Sequence, residues 1–441
     1  MKDMTTGSPA KHIIKFAIPI LLGNMLQLTY NLADTRIIGS FLGDSALAAV
    51  GATTVLSMLY LGFMIGLVNG FAMITARFFG SKDMQSVRVS FLTAFALGIA
   101  TMIVFAVLTL VFLGPIMSFL NVPDDLRPEA AAYIRIIIAG LIISVTYNVL
   151  LASARAIGDS FTPLLTLFLS VGLNITGDIL MIGVIGTGVW GAAAATIASQ
   201  FITMIICAIY ILKKYEFYRI KRSDFHLMSY VMAKDMMLTG ISMGLMNSLI
   251  GFGSLILQTA INGLGASYIV AQSAARRITD VLMTIFVAIG NTMATFCSQN
   301  FGAGKYDRIM QGMRAGYIIT SVWCIFVILI VYTLAPAMIQ LITGSSDQIM
   351  IDAATLYLRI DSILYVLVAI IFVQRYSLQS VGDRITPLIS SGIEMAGKII
   401  LTVTLVRALG YFGVILVEPI VWIVMIIPLI WKVRKWEKQV K

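Results

Sequence analysis

Four polar side chains in the first half of the sequence stand out because they interrupt apolar runs. Asn174 and Asp178 are four residues apart in GLNITGDILMIGVIG, so on a helix both lie on one face. Asp34 and Thr196 interrupt two other apolar runs. Together they offer carboxyl, amide and hydroxyl oxygens, which are ligands that suit Na⁺. The two carboxyl groups could instead share a proton.

The cost of burying a charge supports this interpretation. An ionisable group at membrane depth is unfavourable unless it faces a cavity, a partner or a cation. At 1.5 Å per helical residue, Asp34 lies roughly 30 Å and Asp178 roughly 22 Å along spans that start inside, and Thr196 roughly 10 Å below the outer surface. One cavity could therefore hold all three. The alternative is a structural Asp178 that Asn174 or the backbone satisfies.

The composition identifies the elements that must position these residues. Of 441 residues, 59% are hydrophobic and only 12% are charged, which excludes a soluble domain of any size. The continuous apolar runs exclude an outer-membrane barrel, whose strands would alternate. The net charge of +10 is spread over short loops, so it indicates topology and not a nucleic-acid partner.

The apolar runs predict an all-α polytopic membrane protein with twelve transmembrane helices. The predicted spans are 13–39, 46–74, 88–113, 131–153, 163–184, 189–212, 235–262, 268–295, 313–335, 353–378, 387–408 and 413–433. Lys and Arg flank the chain ends and alternate loops, among them 213–222 and 432–438. By the positive-inside rule, both termini are predicted to be cytoplasmic, in the cell (inner) membrane.

The sequence also contains an internal repeat. LGDSALAAVGA at 42–52 matches LGASYIVAQSA at 264–274, YIRI at 133–136 matches YLRI at 357–360, and GDSFTP at 158–163 matches GDRITP at 382–387. The repeat predicts two six-helix lobes related by a pseudo-two-fold axis along the membrane normal. The predicted domains are an N-lobe at 1–212, a cytoplasmic linker at 213–234, whose charges would be solvated or meet anionic lipid, and a C-lobe at 235–441.

The repeat separates shared features from features of one half. When the two repeats are aligned, Asp34 corresponds to Ile256, Asp178 to Thr402 and Asn174 to Lys398. The acids are therefore absent from the second repeat, and ion coupling is predicted to be local to the first lobe. Asp159 and Asp383, in the two matching GD-TP turns, are expected to start helices.

The second half contains further acids. Asp361, near the outer start of its span, is expected to pair with Arg359 or water and is a minor candidate for coupling. An i,i+4 pair explains Glu394 and Lys398, and Glu418 is left as an unpaired acid.

An exported molecule also needs a surface to bind. The polar or amphipathic groups Tyr30, Asn31, Tyr147 and Asn148 lie within spans one and four and are candidates to line a substrate cleft.

Several segments together resemble the multidrug and toxic compound extrusion (MATE) transporters, particularly the DinF-like bacterial branch. They are LADTRIIGSFLGDSALAAVG, FFGSKD, AIGDSFTPL, LNITGD and GVWGAAAAT, and the resemblance covers nearly the whole chain. It implies two six-helix lobes around a central cleft, alternating access, and export of cationic or amphipathic compounds in exchange for H⁺ or Na⁺.

The resemblance also assigns residues. The acid of the family's first helix matches Asp34, its fifth-helix Asn and Asp match Asn174 and Asp178, and its sixth-helix Thr matches Thr196. Arg36 departs from the family, which usually carries an apolar residue there. Since positions i and i+2 face apart, we expect Arg36 to point outward, away from Asp34.

The predicted function is therefore a secondary antiporter for drugs or metabolites. A flippase for lipid-linked or polysaccharide precursors is the alternative, and a membrane receptor or scaffold is a third interpretation. We expect no enzyme activity, since GAGK at 302–305 is not a P-loop, and no cofactor besides the coupling ion. The expected partners are small-molecule substrates and membrane lipids, with a monomer as the working unit.

Overall fold

The computed structural model describes residues 2–119 and 122–440, and helices dominate that part of the chain. Eleven helices are long and apolar enough to cross a membrane, and a bent helix pair raises the number to twelve if it counts as one span. These findings confirm the predicted all-α polytopic class.

We number the spans α1 to α12 in chain order. They are α1 Pro9–Gly43, α2 Leu56–Gly80, α3 Met84–Val111, α4 Arg127–Ala139 with Leu141–Ala156, α5 Phe161–Val184, α6 Val189–Lys214, α7 Tyr230–Asn262, α8 Ala266–Gly302, α9 Tyr306–Thr343, α10 Gln348–Ser380, α11 Ile385–Leu409 and α12 Tyr411–Gln439. A short helix, Leu113–Phe119, follows α3, and two 3₁₀ turns, Glu216–Tyr218 and Arg222–Leu227, lie between α6 and α7.

Several helices are longer than the apolar runs predict. The span predicted at 268–295 is part of a helix that continues to Gly302. The span predicted at 313–335 is part of a helix that begins at Tyr306. Helical hydrogen bonding continues through polar residues outside the hydrocarbon layer, whereas apolar runs mark only the part that crosses it.

Two glycines shape the first half. Helical hydrogen bonding runs from Pro9 to Gly80, but Gly43 has φ 81° and ψ −174°, which breaks the helix direction there. Only glycine adopts such a conformation without strain. At Gly140, α4 bends by 47° between its two helical pieces. A Cβ atom at Gly140 would lie 2.2 Å from Ile197 Cδ1, so glycine also permits close packing against α6.

The same irregular ending occurs in α5 and α11. A π-helical turn, Ile179–Val184, completes α5, and another, Thr402–Val406, lies near the end of α11. The next helix then starts after Gly188 (φ 72°) in the first case and after Gly410 (φ 59°) in the second. The repeat seen in the sequence is therefore present in the local backbone as well.

Contacts within the chain group its residues into two compact units. The first contains Leu22–Gly244 with residues 2–3, and the second contains Met4–Leu21 with residues 245–440. In the second unit the Arg308 guanidinium donates to the backbone oxygens of Met4, Thr6 and Gly7 at 3.1, 2.7 and 2.7 Å. These bonds hold the segment before α1. The predicted lobes, 1–212 and 235–441, remain a prediction.

The two GD-TP turns start helices in the same way. Asp159 accepts hydrogen bonds from the backbone N–H groups of Phe161 and Thr162 at 3.1 and 3.0 Å. Asp383 accepts the equivalent bonds from Ile385 and Thr386 at 3.1 and 3.0 Å. Each carboxyl therefore satisfies backbone donors that a helix start leaves free. This is the structural role predicted from the sequence.

Asp159 has additional partners outside the membrane-spanning segments. Its carboxylate also accepts hydrogen bonds from the Thr162 and Tyr215 hydroxyl groups and lies 3.2 Å from Lys214 Nζ. Burial by itself would raise the pKa of the carboxyl, but the bonds from Thr162 and Tyr215 and the charge of Lys214 together lower the pKa to about 2.

The segment between α6 and α7 is docked on the first unit. Asp224 is fully buried and accepts two bonds from the Arg88 guanidinium, at 2.7 and 2.9 Å, which hold the pKa of Asp224 below its usual range. Tyr218 is also fully buried and donates to Ser153 O at 2.8 Å. The expectation that the linker's charges are solvated is therefore wrong for Asp224.

Helices α2 and α7 approach each other through paired glycines in the first unit. Gly66 and Gly70 are four residues apart on α2, and Gly240 and Gly244 are four apart on α7. A Cβ atom at Gly70 would lie 2.5 Å from Gly240 Cα, and one at Gly66 would lie 2.5 Å from Met243 O. Small residues at this spacing let two membrane helices pack backbone against backbone.

We predict that Gly70→Ala destabilises the protein by about 1–3 kcal/mol, because the added methyl group must push two backbones apart. The midpoint of thermal unfolding in detergent should fall. Gly172→Ala on α5 is the matched control, since nothing lies within 4 Å of a Cβ there. Equal midpoints for the two variants would contradict the close packing.

We predict that Asp159→Asn removes about 2 kcal/mol of stability at neutral pH. The folded-state pKa is below the ordinary value of 3.8, so the contribution is present above 3.8 and is lost as the pH falls towards 2. Thermal unfolding of wild type and variant should therefore differ at neutral pH and converge in acid. Asp125→Asn, at an exposed carboxyl, should match wild type throughout. A difference that persists unchanged in acid would exclude this origin.

Candidate functional site

The predicted cation site lies where α1, α5 and α6 meet in the first unit. Asp178 is fully buried and Asn174 nearly so, at 0% and 3% exposure. Asp34 on α1 and Thr196 on α6 are partly buried. The structure therefore brings together all four residues that the sequence predicted for ion coupling.

The two carboxyl groups of the site contact each other. Asp34 and Asp178 lie within hydrogen-bonding reach of each other, and two carboxyl groups can share a hydrogen bond only when one of them carries a proton. The Oδ1 atom of each is buried and has no hydrogen-bond partner among the described residues. Two carboxyl oxygens are thus available to a proton or a small cation.

The Asn174 amide links these carboxyl groups to α6. With its nitrogen facing the acceptors, Nδ2 donates to Asp178 Oδ2 at 3.0 Å and to Tyr30 Oη at 3.2 Å. Its oxygen then accepts from Thr196 Oγ1 at 3.1 Å. The opposite orientation leaves only a bond to Thr196 at 3.1 Å, so we assign the first.

Two tyrosines complete the surroundings of the carboxyl pair. Tyr30, one turn before Asp34 on α1, was predicted only as a cleft residue, but its hydroxyl belongs to the Asn174 network. Tyr133 on α4 lies within electrostatic range of Asp34 and Asp178 and was not predicted. The only sequence signal for Tyr133 is its place in the repeated YIRI and YLRI motifs.

The backbone beside the site is irregular. Asp178 is the last residue before the π turn Ile179–Val184. Ile182 in that turn is buried in a small apolar cluster with Ile38 of α1 and Ala192 of α6. Single π turns within helices are frequent at functional sites.

Three of the predicted cleft residues make contacts away from the carboxyl pair. Tyr147 is buried in an apolar cluster with Phe91 and Cys207. The Asn148 side chain donates to the backbone of its own helix, at Ser144 O. Asn31 is exposed and accepts a bond from Gln27 at 3.3 Å. Their role in substrate binding remains a prediction.

Arg36 does not neutralise Asp34 in this structure. Its side chain is exposed, and no ion pair of Arg36 occurs within the described ranges 2–119 and 122–440. Arg36 departs from the family pattern, but it does not place a guanidinium beside the carboxyl pair.

The environment of Asp361 differs from the prediction. It is the fourteenth residue of α10, about 20 Å along the helix, and it is fully buried. Arg359 donates instead to Tyr332 O at 3.4 Å and lies over the Tyr332 ring. The predicted pairing of Asp361 with Arg359 or water near the membrane surface is therefore wrong.

The predicted pair of Glu394 and Lys398 is confirmed, and it belongs to a longer chain of buried ion pairs in the second unit that was not predicted. Arg375 lies 3.1 Å from Glu394, which lies 3.3 Å from Lys398, and Lys398 lies 3.3 Å from Glu418. Glu418 is thus not an unpaired acid. Sequence spacing reveals pairs within one helix, such as Glu394 and Lys398, but the contacts of Arg375 and Glu418 join α10 and α12 to α11.

Comparisons with known proteins extend over the whole fold. The MatE family profile matches residues 19–180 and 242–404. A probable multidrug resistance protein, YpnP, from Bacillus subtilis is 29% identical over 309 residues, which cover 70% of this chain and 68% of that protein. The multidrug export protein MepA from Staphylococcus aureus is 26% identical over 85% of this chain and 82% of its own length.

Solved structures share the fold. An outward-facing multidrug resistance MATE family transporter of the MOP superfamily superposes with a TM-score of 0.91 at 23% identity, covering 100% of this chain and 98% of that one. A MATE crystal structure in the bent conformation gives 0.90 at 22% identity, covering 99% and 98%. Because the family profile matches well over half of the residues, in both repeats, the chain belongs to the MatE family.

Proposed function

We propose that this protein is a multidrug exporter driven by inward movement of H⁺ or Na⁺, which binds at Asp34 and Asp178 in the first half. The observation that carries the proposal is the buried carboxyl pair with two unpartnered oxygens. Family membership confirms the prediction of a transporter and not an enzyme. The names of YpnP and MepA, both described as multidrug proteins, support the substrate class.

The geometry supports a two-state site. A proton between Asp34 and Asp178 removes the repulsion of two buried carboxylates, and a bound Na⁺ would do the same. For Asn174 to add an oxygen ligand to Na⁺, its amide would have to turn, because its nitrogen faces Asp178 here. Loss of the ion leaves two negative charges in a low-dielectric surrounding, so the vacated site must gain water or rearrange. We propose that this change drives alternating access of the substrate cleft.

The remaining features of the proposal rest on sequence. The basic loops support a cell-membrane protein with both termini in the cytoplasm. We propose cationic or amphipathic small molecules as substrates, membrane lipids as the only other partners, and a monomer as the transporting unit. No cofactor besides the coupling ion is required.

Transport by purified protein in liposomes tests the proposal. An imposed inward gradient of H⁺ or of Na⁺ should drive efflux of a fluorescent cationic dye, and the effective gradient identifies the ion. Asp34→Asn and Asp178→Asn should abolish this transport, because each variant removes a titratable oxygen from the pair. Tolerance of an efflux-deficient strain to the dye should be lost in parallel.

Asp125→Asn is the matched control, because that carboxyl is exposed and lies outside the spans. It should transport like wild type. Full transport by both Asp34→Asn and Asp178→Asn, with normal amounts of protein in the membrane, would falsify the assignment of the pair to ion coupling.

A second prediction concerns Thr196. Thr196→Val removes the hydroxyl donor to the Asn174 amide oxygen and leaves the Thr196 N–H, at 3.2 Å, as its remaining donor, at a cost of about 1 kcal/mol. Transport should need a higher concentration of the coupling ion, because the Asn174 amide is then held less firmly beside Asp178. Thr176→Val is the control, since Thr176 is exposed and bonds only Gly172 O of its own helix. An unchanged ion dependence in Thr196→Val would remove Thr196 from the site.

A further inference from the structure

A cavity of about 400 Å³ lies in the second unit, between α9, α10 and α12. We call it the α9–α10–α12 cavity, and its lining includes Arg314, Tyr317 and Ser321 of α9, Val366 and Gln374 of α10, and Arg434 of α12. It lies near the start of α9 and near the ends of α10 and α12. By chain order these helix ends are on one side of the membrane, which is the cytoplasmic side in the topology proposed above.

The lining of this cavity changes from charged to apolar with depth in the membrane. Arg314 and Arg434 lie towards the helix ends, and both are exposed. Tyr317 lies one turn deeper than Arg314, at roughly 4.5 Å along α9. Val366 lies roughly 12 Å deeper than Gln374 along α10. The phosphate, the glycerol ester and the acyl chain of a phospholipid follow one another in the same order of polarity.

Positive charge predominates at the opening of the cavity. Arg434, Lys435 and Lys438 are exposed, and none of them forms an ion pair with a residue that the structure describes. Arg314 lies 3.9 Å from Glu437, but its side chain is still 69% exposed. Four basic side chains therefore face one acidic side chain, and basic residues at the cytoplasmic surface attract anionic lipid headgroups.

A tryptophan marks the membrane interface beside the cavity. Trp431 of α12 is 61% exposed, and Lys435 Nζ lies over its ring at 5.3 Å. Tryptophan is enriched where headgroups meet the hydrocarbon layer. A second depression, lined by Ile427, Ile430, Trp431 and Arg434, adjoins the cavity and shares Ile430 and Arg434 with it. Two grooves that meet at one guanidinium suit the two acyl chains of a single phospholipid.

The wall of the cavity also contains a polar group with unused hydrogen-bonding capacity. Gln374 is only 5% exposed, and its amide lies within hydrogen-bonding reach of the Tyr317 hydroxyl. Its Oε1 atom has no hydrogen-bond partner within the described part of the chain. Buried polar atoms in proteins are nearly always paired, so an unpaired acceptor in a cavity wall indicates a polar occupant.

The first half differs from the second at the corresponding place. When the repeats are aligned, three polar lining residues correspond to leucines: Arg314 to Leu92, Gln374 to Leu150 and Arg434 to Leu212. In the first unit Leu150 and Leu212 pack in an apolar cluster with Tyr218, which belongs to the segment between α6 and α7. An amphipathic side chain of the protein itself therefore occupies that place, whereas the second unit has a cavity with a basic opening.

We propose that the α9–α10–α12 cavity binds one anionic phospholipid of the cytoplasmic leaflet. Arg314 and Arg434 bind its phosphate, Tyr317 and Gln374 contact its glycerol and ester groups, and its acyl chains lie along the apolar surfaces of α10 and α12. This binding site goes beyond the exporter function proposed above and does not depend on it. It belongs to the second half alone, since the first half has leucines at the matching positions.

Native mass spectrometry of the purified protein, titrated with phosphatidylglycerol or with phosphatidylcholine of the same acyl chains, tests the proposal. One phosphatidylglycerol should bind more tightly than phosphatidylcholine. Arg314→Gln/Arg434→Gln should weaken its binding about tenfold or more, because each basic residue near the surface adds to the attraction. Lys213→Gln/Arg222→Gln, which removes two exposed charges elsewhere, should bind like wild type. Equal binding of the two lipids, or unchanged binding in Arg314→Gln/Arg434→Gln, would overturn the proposal.

A second variant fills the cavity and leaves its charges in place. Ser321→Phe puts a bulky ring among the lining residues, so phosphatidylglycerol binding should weaken as well. Val322→Phe is the matched control, because Val322 is 62% exposed and does not line the cavity. Unchanged binding in Ser321→Phe would show that no lipid occupies the cavity. This variant also covers the case in which Arg314→Gln/Arg434→Gln does not fold.

Thermal unfolding in detergent distinguishes a lipid from a free phosphate ion. A ligand that binds only the folded protein raises the midpoint of unfolding. We expect phosphatidylglycerol to raise the wild-type midpoint and inorganic phosphate to leave it unchanged. An equal rise with inorganic phosphate would show a simple anion site and would overturn the proposal. None of these measurements needs transport, so failure of the exporter function would not change their outcome.

Discussion

A charged side chain within the membrane is stable only if neighbouring groups supply opposite charge, hydrogen bonds or a proton, and the interior of this protein follows that constraint. Asp178 of α5 and Asp34 of α1 lie within hydrogen-bonding reach of each other, next to the Asn174 amide. Lys398 of α11 and Glu418 of α12 compensate each other in the second unit. In both places the pairing joins different helices, so it couples the charge state to helix position.

The fold could largely be predicted from the sequence, because the physical signals involved are local. Apolar runs of membrane length identified the spans, and the repeated GD-TP turns identified two helix starts that the carboxylates of Asp159 and Asp383 do satisfy. The candidate site could be predicted for a related reason. Asn174 and Asp178 lie on one helix face, and Asp34 and Thr196 interrupt other apolar runs at a depth that one cavity can share. The resemblance to a known family points to the same four residues.

The rest of the site depends on contacts between helices, which spacing along one helix does not reveal. Tyr133 is 99 residues from Asp34 in the sequence, yet it faces the carboxyl pair. Glu418 looked unpaired because its partner, Lys398, belongs to another helix. Asp361 was placed near the surface because its span was taken to start at 353, whereas the helix begins at Gln348. An apolar window marks a helix end less precisely than a hydrogen-bonded cap does.

The duplicated halves show how one backbone frame can support two kinds of polar centre. Both halves end a helix with a π turn, reverse at a glycine and begin the next helix with the same register. In the first half this frame holds neutral groups, Asn174 and Thr196, beside two acids that leave oxygens unpartnered. In the second half Lys398 and Glu418 occupy the same frame and satisfy each other. In the second half a built-in ammonium therefore stands where the first half has a neutral amide, so this shared frame carries a fixed charge in one half and a site open to an exchangeable ion in the other.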